Sequence, residues 1–411
     1  MKALILGGGI SGLSAAWRLS KLHPDIEITL LEKSPRLGGW IETGQSGDFL
    51  FERGPRTFSA ARSPILLNLI AEVGLEKDLL FSKKSAKTRY LWHRGRLKSA
   101  SSLFLPHAWR LLLEPFVPKG SGEETIHTFA SRRFGSKIAE LFFDPITLGV
   151  FAGDSRTLSM EACFPKLVEM EQRYGSLLLS VLQRKKKQQF PGTLFTLQGG
   201  MQRLIDVLGA SLSANLILGA EVLAVAKENK GWRVETGKGS IYADVVFPAL
   251  PAHALRTLLP TMPPIESVSL TLVNLGFADL AMPKKGYGYL VPSSEEEALL
   301  GMIFDSEIFG GSSCRLTAMV RGSAPDPKRV VLDALMRHLR VSSVPDQMEI
   351  HRRDLAIPQL GVGQKKEILS WAASLDRFYL LGNYIDGPAV EQCVERSEKM
   401  TNLFFEKMFR D

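Results

Sequence analysis

Four glycines within six residues, Gly7-Gly8-Gly9-Ile10-Ser11-Gly12, and an acid further on, Glu32, are the residues of this chain best suited to hold a reactive group. Each type suits a separate task in binding a dinucleotide. Gly7 permits a tight turn out of a strand, and Gly9 lets the backbone approach a pyrophosphate, whose charge a helix N-terminus favours. Gly12 lets helix and strand pack closely, and Glu32 can accept hydrogen bonds from ribose hydroxyls. Gly8, Ile10 and Ser11 complete the turn. Alone, such a run is an ordinary glycine-rich turn. Its setting argues for more: Lys2 to Leu6 reads as a short buried strand, Leu13 to Leu22 as a helix, and Ile26 to Leu31 as a second strand closed by Glu32.

Beyond Glu32 the chain reads Ser34-Pro35-Arg36-Leu37-Gly38-Gly39-Trp40. A second glycine pair placed here suits FAD, over which the chain passes closely, although by itself it is equally a plain turn. The C-terminal part adds to this. Phe378 to Leu381 reads as an apolar strand, followed by Gly382-Asn383-Tyr384-Ile385-Asp386-Gly387-Pro388-Ala389-Val390 and a helix to about Phe405. Pro388 is placed where a first helical turn accepts proline. A helix start delivered in this way can aim backbone N–H groups at an isoalloxazine carbonyl and stabilise charge on reduced flavin. No second GxGxxG serves a nicotinamide cofactor, since Gln198-Gly199-Gly200-Met201 lacks the spacing. The reading is therefore a flavin reduced by its organic substrate, whose electrons leave to oxygen or another acceptor.

The elements that must position these residues fill 411 positions, more than one growing core supports, so two or three domains are expected. Hydrophobic residues at 45% and charged residues at 23% exclude global disorder. Cys163, Cys314 and Cys393 lie far apart, which points to a reducing compartment and excludes both a disulfide framework and a CxxC redox centre. The seven histidines show no metal-ligand spacing, so no metal is expected. The net charge of +8 could serve an anionic partner or simply a solvated surface. Its densest run, Arg184-Lys185-Lys186-Lys187, lacks interleaved aromatics, so nucleic acid is not expected as a partner. The apolar run Ala3 to Leu6 is too short for a signal peptide, and no stretch reaches the roughly 18 apolar residues of a membrane span. A soluble or peripheral protein is expected.

The middle of the chain, from about Ser99 to Lys187, reads as helical: Leu103 to Leu113 interrupted by prolines, Thr125 to Phe134, Lys137 to Phe143 and Gly175 to Leu182. Trp109 to Leu113 with Phe116 is either helical core, the reading we favour, or an amphipathic surface lying on a membrane. Leu194 to Leu208 reads as strand then helix, and Glu221 to Phe247 as three short strands around Val222, Val234 and Val245. Val268 to Phe277, Tyr287 to Val291, Gly301 to Phe304 and Arg315 to Val320 read as a separate sheet beside a helix over Pro327 to Leu339.

With GGGISGLSAA at the start, RLGGW at 36–40, FERGPRTF at 51–58, GVFAGDSRTLS at 149–159, GYGYLVPSSE at 287–296 and the terminal GNYIDGPAVEQCVE, the chain resembles the FAD-dependent protoporphyrinogen/coproporphyrinogen oxidases of the flavin amine oxidase-like group along nearly its whole length. By that resemblance Gly7 to Gly12, Trp40, Gly54, Pro55, Arg56, Thr57, Val222, Asn383, Pro388, Ala389 and Val390 would contact non-covalently held FAD. Arg89, opening RYLW, would pair with a substrate propionate, and Tyr287, Gly288, Leu290 and Met319 would line a tetrapyrrole pocket. Without the resemblance, Arg89 is an exposed strand-opening arginine, and Tyr287, Tyr289 and Val291 are ordinary sheet packing. Arg53 departs from the family, which usually has an apolar or acidic residue there, and the chain is shorter than most relatives.

The resemblance implies oxidation of a porphyrinogen in haem biosynthesis: three two-electron steps, hydride leaving a bridge carbon and a proton leaving a pyrrole N–H. Oxygen would yield three hydrogen peroxides. Trp40 tilts the reading toward protoporphyrinogen, with coproporphyrinogen the alternative. The cations Arg89, Arg94, Arg96 and Lys98 suit the propionates of either, or are solvated. A flavin oxidase of amines or carotenoids and a non-catalytic carrier on this scaffold are the competing readings. The expected fold is α/β: a Rossmann-like FAD-binding domain (1–84, 190–248 and 352–411), an inserted helical domain (85–189) that could face a membrane, and an α+β substrate domain (249–351). The expected location is cytoplasmic, or peripheral on the inner face of a membrane.

Overall fold

Ala3 and Ile5 bury on one face of the first strand, Lys2–Leu6, and Leu4 and Leu6 on the other, each at most 1% exposed. Such two-sided burial suits a parallel strand covered on both sides. In the computed structural model, which describes residues 1–183 and 193–408, this strand is flanked by Glu27–Glu32 and Val245–Pro248, with Asn215–Leu218 beyond Glu27–Glu32, and every pairing is parallel. The Arg184 to Lys187 run and the expected boundary at 189–190 lie outside the described residues. One face of the sheet packs on Ile10–Leu22 and the C-terminal helix Val390–Met408. The other carries an antiparallel meander of Val222–Glu228, Gly231–Thr236 and Gly239–Ala243. Residues 221–248 thus hold one strand more than the three expected, because Ser240, Tyr242 and their neighbours give Gly239–Ala243 too little apolar character to read as a strand. Phe378 to Leu381 is not a full strand. It runs extended beside Val245–Pro248, with Tyr379 N donating to Val246 O and Leu381 N to Pro248 O.

The second sheet has seven strands in the order Gln347–Gln359, Glu266–Phe277, Cys314–Arg321, Leu299–Ile303, Gly288–Leu290, Arg89–His93 and Arg96–Ser99. Two expected domain limits shift accordingly. Residues 89–99 belong to this sheet and not to the helical insertion, because Arg89 to Leu91 pairs in parallel with Gly288 to Leu290. Residues 352–359 also belong to it, through their ladder with Glu266–Phe277. One face packs on the helical run Pro327–Ala334 and Leu335–Leu339, burying Val273, Leu275, Tyr289, Leu316 and Ala318.

Asp144–Phe151 lies on the opposite face of the sheet, and its Phe151 shares an apolar cluster with Ile126 and Phe129 of Ile126–Phe134, Leu167 of Pro165–Tyr174 and Leu177 of Leu177–Gln183. The leucine-rich corner at 105–116 overturns the core reading. Leu105, Leu112 and Phe116 are 75%, 73% and 83% exposed, and Trp109 and Leu113 are also exposed. Pro106 and Pro115 cut the segment into turns too short to present one apolar stripe. The side chain buried here is Glu114. It accepts from Leu177 N, Leu178 N and Ser176 Oγ, and it pairs with the fully buried Arg133 at 3.1 Å. Arg133 also pairs with Glu171. The helical unit thus holds a buried charge network of Glu114, Arg133 and Glu171 beside its apolar cluster.

Candidate functional site

At the glycine turn Gly7 adopts φ +105°, and a side chain on Gly12 would run into the Gly7 carbonyl, so strand and helix meet without room for a Cβ. The first helical bond is Leu13 N to Gly9 O at 2.9 Å, which leaves the N–H groups of Ile10, Ser11 and Gly12 ahead of it. Gly9 caps the helix without a side chain, and the first turn carries no acid. This end is therefore suited to an external anion. The second glycine pair closes over it: Gly38 N donates to Gly8 O at 2.8 Å, while a Cβ on Gly9 would meet only Gly39 Cα, at 3.9 Å. The Glu32 carboxylate is held by two backbone donors, Gly8 N at 2.7 Å and Ser34 N at 2.8 Å. Lone pairs remain for hydroxyl donors. Ala220 N bonds the Glu32 carbonyl, placing Val222 at the same sheet end. These residues fit a diphosphate-bearing dinucleotide such as FAD.

Gly54 lies so close to Trp40 that any side chain there would strike the Trp40 carbonyl. Trp40 in turn packs with Leu270, Leu272, Met319, Ala356 and Ile357, so the Trp40 loop and the Met319 strand meet in one apolar cluster. Asn383 joins them by donating to Ala356 O at 3.2 Å. Arg56 lies on the same loop as Gly54 with its side chain buried. Its buried guanidinium enters the sheet, donating to Thr317 Oγ1, 3.5 Å from Asn274 Oδ1 and 3.6 Å from Asp305. Pro55 and Thr57 flank it on the same loop. At the C-terminal element the helix begins at Val390, so Pro388 precedes the cap and is not in the first turn. Ala389 N bonds Gln392 Oε1 at 3.2 Å. Val390 is buried, and Glu391 receives Ile65 N and Leu66 N.

Strand register places the other candidates on one face. Met319 pairs with Leu272 and Gly301, Gly301 with Leu290, Leu290 with Leu91, and Gly288 with Arg89. Side chains directly opposite one another share a face, so Arg89, Leu290 and Met319 project together, with the bare backbone of Gly288 between Arg89 and Leu290. Asp144–Phe151 roofs this face. A side chain on Gly149 would press on Leu290, and Asp144 anchors the helix start by accepting from Ser293 N and Ser293 Oγ, both at 3.0 Å. Tyr287 stands apart from the row. Its ring packs with Ala86, Leu194 and Ile308, and burial pushes its phenol above the ordinary value. The exposed Arg89 guanidinium lies 5.0 Å from that ring's centroid, a cation–π placement that leaves its N–H groups available.

Three features escaped the sequence. Arg53, there only a departure from the family, donates through Nε and Nη2 to both oxygens of Glu349, each at 2.9 Å, and to Glu42. This holds the Glu349 carboxyl below its usual range and ties the FERGPR loop to the sheet. Asn274, fully buried in a run of aliphatics, sets a polar centre beside Arg56 and Thr317. An asparagine in phase with Leu270 and Leu272 was its available signal. Gly149 carries no signal of its own, since only the tertiary fold sets Leu290 beneath it.

The chain matches the flavin containing amine oxidoreductase family over residues 10–397. It is 33% identical to human protoporphyrinogen oxidase, covering 95% of this chain and 96% of that protein, and 32% identical to the bovine protein with the same coverage. It is 25% identical to Bacillus subtilis coproporphyrinogen III oxidase over 98% of each chain. Its structure is similar to that of an Exiguobacterium protein assigned as a protoporphyrinogen oxidase, with a TM-score of 0.84, 25% identity and 98% of each chain covered.

Proposed function

Since the chain belongs to the flavin-containing amine oxidoreductase family, and within it to the protoporphyrinogen/coproporphyrinogen oxidases, we propose that it oxidises protoporphyrinogen IX to protoporphyrin IX in haem biosynthesis, with oxygen as electron acceptor. FAD is the cofactor, and once bound it supplies the two-electron acceptor for each step. Its diphosphate has the helix start at Ile10 to Gly12, its ribose Glu32, and its remaining length the Gly38-Gly39-Trp40 and Gly54 to Thr57 loops and the turn from Asn383 to Val390. The observation that carries the reading is the shared face. Arg89, Leu290 and Met319, with the bare backbone of Gly288 among them, project from one side of the sheet toward the Gly149 helix, in a row that ends at Trp40. A flat macrocycle suits such a slot. Arg89 can hold a propionate through paired N–H donors and so fix the register of the ring. The apolar row excludes water, and the buried Asn274, Thr317 and Arg56 cluster stands on the same sheet face, two residues along the strands from Leu272 and Met319.

Anaerobic addition of protoporphyrinogen IX to the purified yellow protein tests this directly. Bleaching of the visible flavin bands, followed by porphyrin fluorescence on admission of oxygen, is expected. A spectrum that does not change would refute the reading. Coproporphyrinogen III is the second substrate to compare, because Arg94 and Lys98 supply cations beyond Arg89.

We further propose that the corner bearing Leu105, Trp109, Leu112 and Phe116 rests on the inner face of a membrane, with the body of the protein in the cytoplasm. Among the described residues no helix is long and apolar enough to cross one. An exposed apolar patch beside a basic side chain such as Arg110 suits interfacial binding. Sedimentation with anionic vesicles, lost in Leu112→Ser/Phe116→Ser, is the expected result.

A further inference from the structure

A cleft of about 960 Å³ opens between the tip of the Arg89–His93 and Arg96–Ser99 hairpin, the turn at Ser102 to His107 and the start of the roof helix. Its cations are Arg94, Lys98, Lys137 and Arg156, and its acids Glu140, Asp144 and Glu295. The acids are engaged. Asp144 holds Ser293, Glu295 accepts Arg94 N at 2.9 Å, and Glu140 pairs with Lys137 at 3.1 Å. The side chains of Arg94, Lys98 and Arg156 make no ion pair among the described residues. Asp144 and Glu295 are held by uncharged donors and keep their charge, so the cleft carries a small net positive charge with these cations free to pair. Burial first, then Lys98 and Arg94, hold the His93 pKa below the ordinary value against the pull of Glu295.

Register fixes where this charge stands. Leu290 pairs with Leu91, and Leu91 with Lys98, so the three lie in one row across adjacent strands on the site face. At about 4.8 Å per strand, Lys98 stands roughly 10 Å from the Leu290 backbone. Arg89 and His93 occupy that same face at the two ends of one strand, about 13 Å apart at 3.3 Å per residue. Lys98 and His93 therefore join the site face to the lining of the cleft, which lies at the far end of the strand from Arg89.

We propose that this cleft is a second carboxylate-binding subsite, in which Lys98 and Arg156, with Arg94 at the rim, take carboxylate arms of the tetrapyrrole that Arg89 cannot reach. The proposal rests on the porphyrinogen reading and adds to it. A substrate with four carboxylates uses both ends of the face, and one with two adjacent carboxylates gains less from the cleft. Unpaired cations in a partly enclosed site hold a carboxylate more strongly than exposed ones do.

The test is equilibrium binding of coproporphyrin III and of protoporphyrin IX to the FAD-loaded protein, followed by porphyrin fluorescence, in wild type, Lys98→Glu and Arg156→Glu. Lys328→Glu, on the exposed surface of the helix behind the sheet, is the charge control. Each cleft reversal is expected to weaken coproporphyrin III binding about tenfold, with a smaller effect on protoporphyrin IX, and to flatten the salt dependence of binding. KM for coproporphyrinogen III should rise in parallel while Lys328→Glu stays at the wild-type value. Wild-type affinity for coproporphyrin III in both cleft variants overturns the subsite, even where the wild type turns over porphyrinogens. If the wild type bleaches with no porphyrinogen, the parent reading fails instead, and the binding measurement still decides whether the cleft holds a polycarboxylate. Absence of coproporphyrin III binding to the wild type sinks the proposal outright.

Discussion

The backbone N–H of Gly8 donates to the carboxylate of Glu32 at 2.7 Å, so the acid that closes the second strand also braces the glycine turn. Ser34 N holds its other oxygen at 2.8 Å. Glu32→Ala therefore removes a ribose partner and leaves two backbone donors without their acceptor. FAD affinity should fall roughly 30- to 100-fold, about 2–3 kcal/mol, as read by titration of the apoprotein with FAD.

Arg89 opens its strand exposed and makes no salt bridge among the described residues, its N–H groups free apart from a long contact to Lys87 O at 3.4 Å. Losing it should cost the fold little. In Arg89→Ala, KM for the porphyrinogen should rise about 10- to 100-fold while FAD stays bound and the thermal midpoint stays near that of the wild type. Unchanged KM would remove Arg89 from the site.

A Cβ added at Gly149 would meet the far end of Leu290, a side chain that can move. Gly149→Ala should thus fold but push Leu290 into the slot, raising KM about tenfold through misplacement of the ring. Shortening the neighbour in Gly149→Ala/Leu290→Val should recover most of that loss. A double-mutant cycle with no coupling would show that the two residues do not meet.

Within the helical unit, Glu114→Ala would leave the buried Arg133 with Glu171 alone and would orphan the helix start at Leu177. Breaking one buried ion pair costs about 3–5 kcal/mol, a loss that urea unfolding would register. The flavin spectrum of protein that folds should stay near that of wild type.

His338 is buried, stacked on Trp92 at 3.7 Å and bonded to Tyr289 Oη at 3.0 Å. Burial pushes its pKa below the ordinary 6.5, against the pull of Glu297. Above 6.5 both folded and unfolded states hold the ring neutral, so no stability is gained or lost there. As pH falls below 6.5 the unfolded chain takes up a proton that the folded one refuses, and stability declines until the lowered folded value is passed. Thermal midpoints measured from pH 7.5 to 5 should fall, with a shallower slope in His338→Gln.

Local rules made the cofactor half of this protein legible from its sequence. Gly7, Gly9, Gly12 and Glu32 act within one strand–turn–helix–strand unit, where steric limits on φ and the reach of a few residues decide the geometry. Strand periodicity likewise exposed most of the second sheet. What the sequence left open were relations between segments far apart in the chain. Whether 105–116 is core or surface turned on Glu114 finding Arg133, and the burial of the Arg56 guanidinium turned on Thr317 and Asp305. Lys98 reaches the slot only because Leu91 pairs with both Lys98 and Leu290. Such contacts follow from packing and strand register, which the whole fold settles together, whereas a glycine turn is settled by the hard-sphere limits on its own backbone.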